Sequence, residues 1–148
     1  MINRHQILVL LAAGSIVPLA AAFLAQYAFG LHPCEMCLFE RLPYALVGLV
    51  LGVVMFRPQI KLSLQVALLF AVGFWAIEVL LAIYHVGIEQ SWWDSATGCT
   101  ANSSAGASMD EIRAAIMKGP IVSCADVALR VLGLSMAGWN VVYAAFLM

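Results

Sequence analysis

Four long apolar stretches, at residues 7–29, 38–56, 62–84 and 129–148, limit what this chain can fold into. At about 1.5 Å of rise per residue, a helix over each reaches across a hydrocarbon core of roughly 30 Å. Backbone in lipid must satisfy its own hydrogen bonds, so a span is a helix or a barrel strand. Barrel strands are short and alternate in polarity, and these runs do neither. Hydrophobic residues make up 64% of the chain and charged residues 10%. Soluble domains sit nearer one half and one quarter, so the excess apolar surface must face lipid. The expected fold is all-α and integral to the membrane, a four-transmembrane-helix bundle forming one domain over residues 1–148. Without a basic stripe, nucleic acid is excluded as a partner.

Local chemistry refines these helices. Pro18 lies mid-span and is expected to kink the first. Gly48-x-x-x-Gly52 and Gly133-x-x-x-Ala137 place small residues on one face of the second and fourth, which favours close packing inside the bundle. A monomer is expected. Residues 1–22 have the basic start and apolar run of a secretory signal, but the run continues to Phe29, so it is read as a retained span.

Charge sets the orientation. Arg4 precedes the first span, and Arg57 and Lys61 lie between the second and third. The loop at 30–37 has no Lys or Arg. The loop at 85–128 carries Glu89, Asp94, Asp110, Glu111 and Asp126 against Arg113 and Lys118. The positive-inside rule then puts both termini in the cytoplasm and both cysteine-bearing loops outside. Trp92 and Trp93 suit an aromatic anchor at the outer face. Within the long loop, Ser108-Met109-Asp110-Glu111 has the form of a capping box. Met109, Ile112 and Ile116 then recur at helical spacing, so a short amphipathic surface helix is expected there.

The four cysteines, Cys34, Cys37, Cys99 and Cys124, all fall on the outer side, where disulfides form and persist. Their pairing is open, since four cysteines allow three connectivities. Cys34-Glu35-Met36-Cys37 is a Cys-x-x-Cys at the start of the second span, just after His32-Pro33. The free N–H groups of a helix start and the motif's own spacing both favour a thiolate. Arg41, about one turn beyond Cys37, would add to that effect. No metal is expected: a zinc site wants two close-spaced ligand pairs, and Cys99 and Cys124 are not one. Nor does a c-type haem fit, because Leu38 stands where its histidine would be. The competing reading is a non-enzymatic four-helix protein with structural loop disulfides. Against it, a Cys-x-x-Cys closes too short a loop to stabilise much.

Pro33-Cys34-Glu35-Met36-Cys37-Leu38-Phe39-Glu40-Arg41, Tyr84-His85, Cys99 and Cys124-Ala125-Asp126 together resemble the disulfide bond formation protein B (DsbB) family across essentially the whole chain. The resemblance implies a bacterial inner-membrane thiol oxidase. It would reoxidise a DsbA-like periplasmic dithiol protein and pass electrons to a membrane quinone, either ubiquinone or menaquinone. No thioredoxin-like segment is present, so that partner is expected to be a separate protein.

By the same resemblance, Cys99–Cys124 is the disulfide offered to the partner, whose thiolate attacks Cys99. Cys124 then attacks Cys34, and Cys37 leaves as the thiolate that faces the quinone. Cys37, Arg41 and His85 are the expected quinone-binding residues. Arg41 would stabilise negative charge, and His85 would bond a quinone oxygen or move protons. Glu40 reads as a partner or surface charge, and Glu89 and Asp126 as solvated loop carboxylates. Glu78, an acid inside a span, is read as hydrogen-bonded within the bundle, with quinol protonation as its alternative. Asn140 is expected to bond across helices.

Overall fold

A computed structural model describes residues 3–57, 59, 62–97, 99 and 122–148. Five helices and one small hairpin are found among them: α1 (Arg4–Ala28), α2 (Glu35–Phe39), α3 (Arg41–Phe56), α4 (Leu64–Glu89), β1 (Arg130–Val131), β2 (Leu134–Ser135) and α5 (Met136–Leu147). Three stretches, Arg4–Ala28, Glu35–Phe56 and Leu64–Glu89, are long and apolar enough to cross a membrane. Leu10, Leu24, Leu49, Phe56, Leu69 and Leu80 point outward from them. A ring of bare leucines suits lipid, which satisfies apolar side chains as a protein core does. The chain is a mostly helical, multi-pass membrane protein.

α1 packs on α3, α3 on α4, and α4 on α5. Val47, Leu51, Ala67, Ala71, Trp75 and Ala144 form the buried seam between them. Two polar ties cross it. Trp75 Nε1 donates to Ser15 Oγ at 3.2 Å. Tyr143 Oη donates to the Gly14 carbonyl at 2.8 Å. The second has a covalent cause: Pro18 lacks the N–H that would bond the carbonyl four residues earlier. α5 supplies the missing donor, and α1 runs on through Pro18 as one helix. Arg4 donates to the Leu62 carbonyl, which ties the start of α1 to the start of α4. Gly48 lies where an added Cβ would reach Ile16 of α1 at 3.5 Å, so one of the expected small residues does serve packing.

Several expected boundaries are corrected. α1 begins at Arg4, not residue 7, because Asn3 and Gln6 form a capping box one turn earlier. The second span starts at Glu35 and is broken at Glu40. Pro43 causes the break: it offers no N–H to the Phe39 carbonyl, and its ring crowds that turn. α4 continues past Tyr84 to Glu89. His85 and Glu89 are thus helical and not part of a loop.

The largest correction concerns the expected span at 129–148. Its helix begins only at Met136 and has 12 residues, about 18 Å of rise. Before it, Leu132 and Gly133 both take positive φ, at 52° and 85°, and turn β1 back onto β2. A two-residue turn of this kind needs left-handed backbone at both positions. Gly133 therefore belongs to a turn and not to a helical small-residue face. Ser135 then caps α5 by accepting from the Gly138 N–H at 3.0 Å. The amphipathic helix expected within 108–119 lies outside the described residues.

The C-terminal end of α4 is pinned by its own following loop. Trp93 stacks on Tyr84, with centroids 5.9 Å apart. Its Nε1 donates to the Tyr84 carbonyl at 3.0 Å. The indole lies flat against Gly87, where any Cβ would overlap the ring. Gly87→Ala is therefore expected to displace Trp93 and destabilise the protein by about 1–3 kcal/mol, the usual range for overpacking. Thermal unfolding in detergent reads this directly, and an unchanged midpoint would mean the indole is not seated there.

Candidate active site

The site forms where α2 begins against the end of α4. Cys34 is the N-cap of α2, with extended backbone, and its Sγ accepts from the Cys37 N–H at 3.2 Å. That leaves Cys34 at the positive end of the helix, with Cys37 one turn in. The two sulfurs lie 2.7 Å apart and are not joined as a disulfide. Covalent distance is about 2.05 Å, so a small side-chain rotation separates the dithiol from a disulfide. The Cys37 thiol and backbone N–H hold the Cys34 thiol below its ordinary pKa, against burial and the nearby Glu40 carboxylate, which push it up. A lowered pKa means the thiolate survives to lower pH. In the reduced protein, Cys34 alkylation should thus persist below the pH at which an ordinary thiol stops reacting. Cys37→Ala removes the main donor, and the alkylation midpoint of Cys34 is expected to rise. Iodoacetamide trapping with mass-spectrometric site assignment tests this; an unmoved midpoint would discount the donor.

His85 is delivered to this pair by the extended α4. Its Nε2 lies 3.5 Å from Cys34 Sγ, and its Nδ1 lies 2.7 Å from Glu40 Oε1. Both side chains are buried. Of the two readings of Glu40, partner or surface charge, the structure shows a buried partner, of His85, that fixes the imidazole and leaves Nε2 for Cys34. The helical spacing Cys37, Glu40, Tyr44 was the available signal, since i, i+3 and i+7 share one face. What sequence could not supply was the partner helix.

The network continues inward. Asn140 of α5 donates one amide hydrogen to Glu40 Oε2 at 3.0 Å and another to Glu78 Oε1. Its oxygen accepts from Tyr44 Oη at 2.8 Å. Asn140 thus bonds across the bundle, and Glu78 is fully buried and held within it. Tyr44 was not singled out by sequence.

Arg41 makes its contacts with α1. Its guanidinium donates to Gln26 Oε1 at 2.8 Å and lies over the Phe23 ring at 5.1 Å. Those contacts hold it against α1, on the wall of a cavity of about 340 Å³. The cavity is shared with Cys34, Cys37 and His85. Ala21, Ala22 and Ala25 of α1 and Met136 and Ala137 of α5 form its apolar sides. A concave apolar chamber with a few convergent polar groups is the usual form of a small-ligand site.

The other two cysteines lie beside the first two. Cys99 and Cys124 are joined as a disulfide, and the Cys124 N–H donates to the Cys99 carbonyl at 2.9 Å. Cys34, Met36, Ile88 and Cys124 make one buried cluster, with Cys37, Tyr84 and Cys99 packed against it. Cys124 is 1% exposed, whereas Cys99 is only partly covered.

Comparison with known proteins places this arrangement among relatives. A family model described as "Disulfide bond formation protein DsbB" matches residues 4–148. The chain is 32% identical over 147 residues to Disulfide bond formation protein B of Aeromonas salmonicida, covering 94% of this chain and 81% of that one. The protein of the same name from Saccharophagus degradans is 26% identical over 144 residues, covering 95% and 86%. A Rickettsia prowazekii protein, "Uncharacterized protein RP370", is 29% identical over 142 residues, covering 93% and 80%. No solved structure matches the chain.

Proposed function

We propose that this chain, which belongs to the disulfide bond formation protein DsbB family, is a quinone-dependent thiol oxidase of the bacterial inner membrane that reoxidises a DsbA-type dithiol protein. Both termini would be cytoplasmic, with α5 completing a four-helix bundle. One observation supports the reading most: a vicinal thiol pair and an imidazole share the wall of one apolar chamber with a guanidinium. Structural staples alone give no reason for two thiols in contact with a histidine–carboxylate pair.

In the oxidised resting form, both cysteine pairs are disulfides. The partner's thiolate attacks the accessible Cys99 and expels Cys124 as a thiolate. Cys124, packed in the same cluster as Cys34, attacks Cys34 and expels Cys37. The partner's second thiol then attacks the mixed disulfide at Cys99, so the partner leaves oxidised. Cys99 in turn attacks Cys124 and restores the loop disulfide, freeing Cys34. Cys34 and Cys37 now hold the partner's two electrons.

A quinone bound in the chamber supplies the two-electron, two-proton sink that lets the Cys34–Cys37 disulfide form again. Its ring would lie against the α1 and α5 walls, with Arg41, His85 and Cys37 as its polar contacts. His85 Nε2, 3.5 Å from Cys34 Sγ, would take a proton from Cys34, and Glu40 would stabilise the imidazolium that results. The guanidinium is permanently charged and favours negative charge on a ring oxygen.

The test is direct. Purified protein, a reduced DsbA-type protein and a soluble quinone should give quinol at a rate followed by absorbance, and no quinone reduction would end the proposal. Arg41→Ala is expected to raise the quinone KM roughly tenfold, about 1.4 kcal/mol of binding. Exchange between Cys99 and the partner should stay near normal. Steady-state kinetics with quinone varied decides this, and an unchanged KM would remove Arg41 from the site.

A further inference from the structure

We propose that the reduced site is also a Zn²⁺ site, with Cys34 Sγ, Cys37 Sγ and His85 Nε2 as ligands, and that zinc bound there holds the protein inactive. The three side chains offer ligand atoms that all lie within 4.8 Å of one another. Sequence spacing concealed the set, because the third ligand comes from α4 and not from a second cysteine pair.

The donor chemistry fits this ion. Zinc takes thiolate at about 2.3 Å and imidazole at about 2.0–2.1 Å in tetrahedral array. Ligand atoms around such an ion sit roughly 3.5–4 Å apart. Cys34 Sγ and His85 Nε2 already have that separation, at 3.5 Å. The sulfurs, at 2.7 Å, must part by about 1 Å, which a side-chain rotation at Cys37 provides.

The surroundings fit as well. A ligating histidine usually gives its other ring N–H to a carboxylate, which sets the tautomer and raises ligand basicity. Glu40 Oε1 stands 2.7 Å from His85 Nδ1 for that role. Asn140 in turn holds the second carboxylate oxygen at 3.0 Å. Three protein ligands would leave a fourth position for water.

Binding would displace two protons, one from each thiol, and change no oxidation state. Both sulfurs would then be unavailable for the Cys34–Cys37 disulfide. That inhibition rests on the thiol-oxidase reading, but the binding does not. The site exists only in the reduced form, so zinc would compete with oxidation.

Cobalt reports the ligand set without any turnover. The full-length chain with Cys99→Ser and Cys124→Ser, reduced and freed of quinone, is titrated with Co²⁺ and then Zn²⁺. One equivalent of cobalt should bind, with the intense visible bands of tetrahedral thiolate coordination, and zinc should displace it. Oxidising the same polypeptide to the Cys34–Cys37 disulfide should abolish binding, a comparison that needs no further variant. His85→Ala should weaken binding at least tenfold and alter the bands. Glu40→Gln should weaken it about 10–100-fold with both thiolates still bound. Equal cobalt binding after oxidation, no tetrahedral bands, or an affinity indifferent to His85 would each overturn the proposal. Failure of the zinc-free wild type to reduce quinone, with these results intact, would count against the oxidase reading alone, whereas zinc that binds the reduced wild type and leaves its turnover unchanged would overturn the inactivation.

Discussion

Cys37→Ser is expected to lower quinol formation by roughly 10³-fold or more while the first exchange at Cys99 survives. The reason is the difference between sulfur and oxygen at the same place. A thiol reaches its anion near neutral pH and a serine hydroxyl does not. Without a sulfur at 37, Cys34 has no disulfide partner, and electrons arriving from the loop have no route onward. The loop disulfide is chemically untouched, because Cys99 and Cys124 keep both sulfurs of their bond. Reduced partner should accordingly open Cys99–Cys124 once, leave oxidised in at most one equivalent, and find the loop pair reduced with no onward route. Thiol trapping should show that single equivalent, and quinone absorbance should stay flat. Quinol production at the normal rate would mean that Cys37 does not pass electrons and that the proposed cycle is wrong.

How far the site could be read beforehand depended on whether its parts lay along the chain or across it. The Cys-x-x-Cys, its helix start and the apolar runs are local, and periodicity and capping chemistry expose them. Arg41 and His85 were nameable by resemblance, but their contacts were not. Arg41 turns to Gln26 and Phe23 on α1, a helix that sequence could place only as a span. Glu40 looked like one more charge beside an arginine until α4 brought His85 to it. Hydropathy also blurred boundaries. Residues 129–148 are apolar almost throughout, so the turn at Leu132-Gly133 and the cap at Ser135 were hidden inside one run. Pro43 broke the second span for the same reason: one missing N–H outweighs a run of leucines and valines.

Asn140→Leu is expected to destabilise the bundle by about 2–4 kcal/mol, more than its half-buried position alone would suggest. The amide works as a three-way junction. Its two hydrogens go to two carboxylates, Glu40 at the α2–α3 junction and Glu78 of α4, and its oxygen takes the Tyr44 hydroxyl. Leucine leaves those three groups without that partner, and an orphaned buried polar group costs about 1–3 kcal/mol, more if charged. The losses will not add fully, because Glu40 keeps His85 and the chamber beside Asn140 can admit water.

Glu78 decides the question. Its Oε2 already has no partner among the described residues, so its Oε1 bond to Asn140 is its one tie. If the orphaned carboxyl is the main cost, removing it as well should restore stability. Asn140→Leu with Glu78→Leu should then recover at least half of the lost unfolding free energy, as replacing both partners by apolar groups often does. Thermal unfolding in detergent of wild type, both single variants and the double variant closes the cycle. Strictly additive losses would show that Asn140 and Glu78 do not depend on each other. Glu78→Gln, which keeps the shape and removes the ionisable proton, should leave the pH profile of turnover unchanged; a shifted profile would move Glu78 from holding the helices to handling protons.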